Sequence, residues 1–129
     1  MLAWEVQRST RYQNFLSLCL VRLEYPGAPI ASLHETVAAR IGELLRSTDV
    51  LGMIGDDFAV LLIHTPDTEA AMIAKRLHDR LESSTFPAPV GAAPARVRLR
   101  LGLVSFPGDG TSDAALLALA QARLDGNQR

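Results

Sequence analysis

The chain is poor in the residues that usually announce a function. Its single cysteine, Cys19, lies inside an apolar run, which excludes a disulfide framework and fits a cytosolic setting. The three histidines, His34, His64 and His78, have neither metal-ligand spacing nor a neighbouring cysteine, so they offer no metal site or acid/base pair. Charge of one sign is lacking too. With 13 basic and 14 acidic side chains the formal net charge is −1, which leaves no broad basic field for tracking a phosphate backbone and argues against nucleic acid as a partner. No apolar run reaches membrane-spanning length, so no membrane insertion is expected, and the first residues, with Trp4, Glu5 and Arg8, do not resemble a signal peptide. A cytoplasmic domain is expected, alone or as part of a longer sensor. Neither an internal repeat nor a low-complexity tract divides the sequence.

What is present is a core. Of the 129 residues 48% are hydrophobic and 21% charged, the balance of one compact domain spanning 1–129. Residues 1–13 read as a short leading helix. Phe15 to Val21 reads as a buried strand that continues to Tyr25 and is broken by Pro26 and Gly27. Ser32 followed by Glu35 is a capping box, and Val37, Ile41, Leu44 and Leu45 then share one face of a helix that runs to about Arg46. Val50 to Ile54 and Phe58 to Ile63 are short apolar strands with Gly55, Asp56 and Asp57 as the turn of a hairpin. Thr65, Pro66 and Asp67 start a helix, with Pro66 in its first turn, whose buried stripe is Ala70, Ile73, Ala74, Leu77 and Leu81. Residues 83–94, with three prolines, read as a loop. Val97, Leu99, Leu101 and Leu103 alternate with Arg96, Arg98 and Arg100, a strand ended by Pro107, Gly108, Asp109 and Gly110. Thr111, Ser112 and Asp113 cap a last Ala/Leu helix to about Leu124.

The resulting β-α-β-β-α-β order is that of a ferredoxin-like α+β fold, one mainly antiparallel sheet flanked by helices. Its most informative point is the hairpin tip, where adjacent carboxylates stand in a turn, a place suited to metal-assisted nucleotidyl transfer.

In that order and spacing the chain resembles the GGDEF family, the diguanylate cyclase domains that condense two GTP into cyclic di-GMP on a palm-like version of this core. The resemblance runs through Arg11-Tyr12 with Leu16-Ser17-Leu18, through Arg46-Ser47-Thr48-Asp49 as the RxxD element, through Gly55-Asp56-Asp57-Phe58 with the strand after it as the signature, and through Leu101 to Gly110 as the late strand and turn.

The departures from the family pattern bear on activity. Where the family places a metal-binding Asp near the end of its first strand, this chain has Arg22, a cation that repels magnesium. Asp56 matches the signature's metal acid, but the signature is one glycine short, and glycine there lets backbone approach the nucleotide. The guanine-reading segment is replaced by Pro26-Gly27-Ala28-Pro29-Ile30, and the last helix reaches Leu124-Asp125-Gly126-Asn127 without the family's phosphate-binding lysine. The resemblance therefore implies a degenerate, non-catalytic member with no cofactor, magnesium entering only with residual activity.

One site survives the losses. In the family RxxD forms part of an inhibitory site for cyclic di-GMP completed by an Arg on the helix after the signature hairpin, which here matches Arg46, Asp49 and Arg76. A guanidinium fork can pair with guanine O6 and N7 or with phosphate, and a carboxylate can accept from guanine N1 and N2. The expected role is regulatory, through a protein partner or a homodimer, with cyclic di-GMP as a candidate ligand. Two alternatives accompany it: a residual nucleotidyl enzyme using Asp56 and Asp57 with magnesium, and a purely structural dimerisation domain. Plainer explanations also exist for each residue. Arg46 suits a helix C-terminus and can pair with Asp49, Arg76 can be a solvated helix residue, tight turns favour Asp, and Arg22 can be a surface charge or a contact of Asp56.

Overall fold

In a computed structural model the described residues are 15–24, 31–86 and 96–126. The leading helix read over 1–13, the segment Pro26 to Ile30, the stretch of the proline-rich loop from Pro87 to Pro94, and Asn127 lie outside them.

Four strands, β1 (Leu16–Glu24), β2 (Val50–Ile54), β3 (Asp57–Ile63) and β4 (Arg98–Phe106), form one antiparallel sheet in the order β2-β3-β1-β4. Among the described residues three helices accompany it: α1 (Ala31–Leu44), α2 (Asp67–Glu82) and α3 (Asp113–Leu124). This is the α+β architecture expected, with the ferredoxin-like strand order. Its central strand explains the apolar run at Leu16–Val21, since β1 is covered on both faces and has no side left for alternation with polar residues. Cys19 and Val21 point into a core shared with Val37 and Ile41 of α1 and with Ala70, Ile73, Ala74, Leu77 and Leu81 of α2. Leu16, Leu18 and Leu20 point the other way, to Leu116, Ala120 and Leu124 of α3. Each fully buried leucine of this kind contributes roughly 1.5–3 kcal/mol by leaving water.

Element boundaries differ from the sequence reading in ways that local chemistry explains. α1 begins at Ala31, so Ser32 lies in its first turn and does not precede it, and it ends at Leu44 because the chain turns back through a bond from Leu45 N to the Gly42 carbonyl. Pro66 is the residue before α2, with extended backbone, and the Asp67 carboxylate accepts from the Thr68 amide. Ser112 caps α3 as expected, its hydroxyl accepting from the Ala115 amide. Phe86, read as part of a loop, is buried in the first core with the Arg40 guanidinium 5.6 Å from its ring centroid.

One glycine decides how α3 sits. A Cβ on Gly102 of β4 would lie 2.0 Å from the Ala120 carbonyl oxygen and 2.9 Å from the Leu124 amide nitrogen, both backbone atoms that cannot step aside. The absence of a side chain at 102 therefore lets the end of α3 rest directly on the sheet, and this carries Asp125 to the end of β1.

Candidate functional site

The β2–β3 hairpin has a tip and an open end, and each holds an arginine forked onto an aspartate. At the tip the connection is two residues long: Ile54 pairs with Asp57, and Gly55, at φ +60°, takes the first loop position that favours glycine in a type II′ turn. Only Asp56 is thus in the turn, where it is exposed; Asp57, read as a turn residue, is the first residue of β3. Because Val21 pairs with Phe58, the next residue of β1 lies beside Asp57 on the face that carries Leu18 and Leu20. That residue is Arg22. Its Nε and Nη2 donate to the two carboxylate oxygens of Asp57 at 3.0 Å each, and its Nη1 donates to Asp125 Oδ1 at 2.8 Å. Arg22, open in sequence to being a surface charge or a contact of Asp56, is instead bonded to Asp57, since successive strand residues face opposite sides and Asp57 shares Arg22's side.

The cluster extends sideways. Arg100, directly across from Arg22 on β4, donates to the Asp125 carbonyl at 3.1 Å and pairs with Glu24 at 3.3 Å. The hydrogen bonds from Arg22 to Asp57 and then to Asp125 hold its guanidinium pKa above the ordinary arginine range, outweighing what little desolvation lowers it. His34, which the sequence gave no role, ties α1 to the tip: its ring stacks on Phe58 at 4.8 Å between centroids, and its Nε2 lies 3.2 Å from the Asp56 carbonyl, which accepts.

Magnesium needs several oxygens in near-octahedral array at about 2.0–2.1 Å. At the tip both Asp57 oxygens already accept from a guanidinium, and among the described residues no three His, Cys, Asp or Glu side chains are grouped to hold a metal. The residues present do not fit the ion. With Asp56, Asp57, Asp125 and Glu24 against Arg22 and Arg100, the tip also carries more acid than base, a poor receptor for triphosphate.

The open end is built differently. After α1 the chain turns so that the Asp49 amide donates to the Arg46 carbonyl at 3.0 Å, and the Asp49 carboxylate in return accepts from the Arg46 amide at 2.9 Å. The same carboxylate accepts from Arg46 Nε and, at 2.9 Å, from Nη2, so the Asp49 side chain is 1% exposed beneath a guanidinium that is 38% exposed. Those bonds to Asp49 are the main reason the Arg46 pKa is raised. Asp49, read as an acceptor for guanine, has both oxygens engaged in holding Arg46. Nη2 also donates to the Thr65 hydroxyl at 2.6 Å, and that hydroxyl donates to the Ile63 carbonyl. Thr65 is fully buried, and its carbonyl accepts from Ser17, whose oxygen lies 2.8 Å from that of Ser105. The arginine is therefore anchored to the middle of the sheet by a chain of hydroxyls.

Arg46 Nη1 faces outward and pairs with Glu69 in the first turn of α2 at 3.1 Å. Arg76 lies seven residues further along α2, two turns or about 10 Å by helical rise, on the stripe that starts at Glu69. It borders an open hollow of about 370 Å³ with Met72, Lys75, Asp79 and Arg80, and Met72 is 73% exposed there. Lys75 and Asp79 are bonded to each other at 2.8 Å, which raises the lysine pKa and lowers the aspartate's, while Arg76 makes no side-chain bond among the described residues. The structure thus brings Arg46 and Asp49 into one cluster and puts Arg76 beyond it on the same helix face. Spacing alone gave no sign of Asp125, Glu69 or Thr65, because their contacts cross between elements far apart in sequence.

Comparison with known proteins agrees with this architecture. A family model described as the GGDEF domain of diguanylate cyclases matches residues 32–129. The GGDEF domain of YfiN, also called TpbB, from Pseudomonas aeruginosa is 21% identical with a TM-score of 0.84, over 96% of this chain and 77% of that one. The diguanylate cyclase SiaD of the same organism, solved with its activator SiaC, is 21% identical with a TM-score of 0.82, over 99% of this chain and 52% of that one. The GGDEF domain of DgcB from Caulobacter crescentus, solved in complex with c-di-GMP, is 14% identical with a TM-score of 0.82, over 99% of this chain and 80% of that one. No curated protein matches the sequence. At these identities the solved structures speak for the fold.

Proposed function

The chain belongs to the diguanylate cyclase GGDEF domain family, and from that premise we propose that it is a regulatory member without cyclase activity, acting through protein contacts and taking cyclic di-GMP at Arg46 and Arg76. The observation that carries the first half is the guanidinium of Arg22 on both oxygens of Asp57. A cyclase must neutralise phosphate charge and activate a hydroxyl with metal ions, and here a guanidinium stands where the family has its strand-end metal acid and is locked onto the carboxylate next to Asp56. Freeing Asp57 would break a bidentate pair, the strongest geometry such side chains adopt.

The second half rests on the open end. Arg46 is held in one orientation by Asp49 and Thr65, so little ordering entropy is lost when it meets a ligand. Arg76, about 10 Å along α2 from the Glu69 that Arg46 pairs with, adds a second guanidinium on the same helix face. Asp49 serves as the holder of Arg46 and not as a guanine acceptor. The likeness to DgcB, solved with c-di-GMP, and to SiaD, solved with an activator protein, supports both kinds of partner.

Two measurements on the same preparation test this. Incubation with GTP and magnesium followed by product chromatography is expected to yield no cyclic di-GMP, and any turnover that disappears in Asp56→Asn overturns the non-catalytic reading. Calorimetric titration with cyclic di-GMP is expected to give binding that Arg46→Ala weakens at least about tenfold, in keeping with loss of a charge-assisted fork. A flat wild-type titration removes the ligand from the proposal.

A further inference from the structure

We propose that Glu69 is an internal competitor at the nucleotide site, occupying the one edge of Arg46 that a guanine or phosphate would use and thereby setting the site's affinity. The inference rests on the ligand reading above and deepens it. An arginine offers five N–H donors in a fixed fork. Nε and Nη2 of Arg46 are turned inward, to Asp49 and to the buried Thr65 hydroxyl. Nη1 is what remains for a ligand, and Glu69 Oε1 sits on it at 3.1 Å.

The two carboxylates on this guanidinium are not equivalent. Asp49 is 1% exposed and is fixed by a backbone amide as well as by the side chain, so it cannot leave without unmaking the turn. Glu69 is 49% exposed, stands on a helix surface, and has no other bonded partner among the described residues. A helix first turn favours an acid, which by itself would account for Asp67 and Glu69 alike. It does not account for the pairing of Glu69 with the outward edge of an arginine that is otherwise fully anchored. With Asp49 and Glu69 both present the Arg46 cluster carries a net charge of −1, so an incoming phosphodiester meets repulsion until Glu69 swings away. Exposed pairs of this type are weak, and the gate is correspondingly soft.

The test is a calorimetric titration of the full chain with cyclic di-GMP at low salt, comparing the wild type with Glu69→Gln. The glutamine keeps the length and removes the charge. Glu69→Gln is expected to bind about three- to tenfold more tightly, with the gain shrinking as salt is raised through the range where the Debye length falls below about 8 Å. Glu69→Asp, which keeps the charge, is expected to stay near the wild type, and a purely structural effect of altering the helix start would not show this charge and salt dependence. Binding in Glu69→Gln equal to or weaker than wild type, while Arg46→Ala still removes it, overturns the competitor and leaves the nucleotide site standing. Absence of heat in both the wild type and Glu69→Gln overturns the two together. Tight binding that persists in the double variant Glu69→Gln with Arg46→Ala places the ligand elsewhere and has the same consequence.

Discussion

The two ends of the β2–β3 hairpin use the same pair of side chains to opposite effect. At the tip, Arg22 crosses from another strand to fork onto Asp57, and its third donor reaches Asp125 at the end of the last helix. Each nitrogen of that guanidinium donates to an acid of the protein. At the open end, Arg46 forks onto an Asp49 that lies beneath it, so that the acid acts as a support, and the remaining edge points out to the half-exposed Glu69. Both arginines bridge two acids, but only Arg46 has one acid buried as a support and the other exposed on a helix surface. Burial separates them: the Asp57 side chain is 16% exposed at a strand end that water and Arg22 share, and the Asp49 side chain is 1% exposed.

The most damaging substitution falls at a position that belongs to neither pair. Gly102→Ala puts a Cβ into the backbone of α3 and is expected to cost about 3 kcal/mol, read as a lower urea midpoint. Because the same shift moves Asp125 off Arg22, the damage should localise to the tip, with amide exchange accelerating around Arg22 and Asp57 before it does around Thr65. Equal acceleration at both ends would show that they are not separable.

A smaller effect separates the two aspartates. Asp49→Ala removes a buried acceptor of the Arg46 amide and of the guanidinium and is expected to cost about 2 kcal/mol, against about 1 kcal/mol for Asp57→Ala, whose partner keeps Asp125. Denaturant unfolding checks the order, and equal costs would remove the distinction between support and clamp.

Alkaline pH sharpens the comparison by loading the sheet between the ends. Burial pushes the Cys19 thiol from 9.0 up to about 12. In the pH range between those values the folded chain keeps a proton that the unfolded chain has lost, so stability is fully present below about pH 9 and falls as pH rises above it, by about 1.4 kcal/mol per pH unit. Cys19→Ala should flatten that slope in urea titrations at pH 9 and pH 10 without altering the relative cost of the two aspartate substitutions.

Much of this could be read along the chain. The stripe Ala70, Ile73, Ala74, Leu77, Leu81 has a helical period and one buried face, and all five residues are buried as that pattern requires. The RxxD element was legible because its partners are three residues apart and a turn between α1 and β2 is enough to bring them together. The tip is legible only in part: a cation near the end of β1 is visible, as a surface charge or a contact of Asp56, but not that Asp57 is its partner. Choosing between neighbouring acids needs the pairing of Val21 with Phe58, since a shift of one residue changes the face.

Local order in the sequence thus determined the elements, their succession and the family likeness, because hydrophobic period, caps and turn residues act over a few positions. Which carboxylate each arginine holds, and which arginine edge is left for a partner, was decided by the tertiary structure. Those contacts join residues 35 and 103 positions apart at the tip and 23 apart at the open end, and only strand register and helix docking bring such groups within bonding distance.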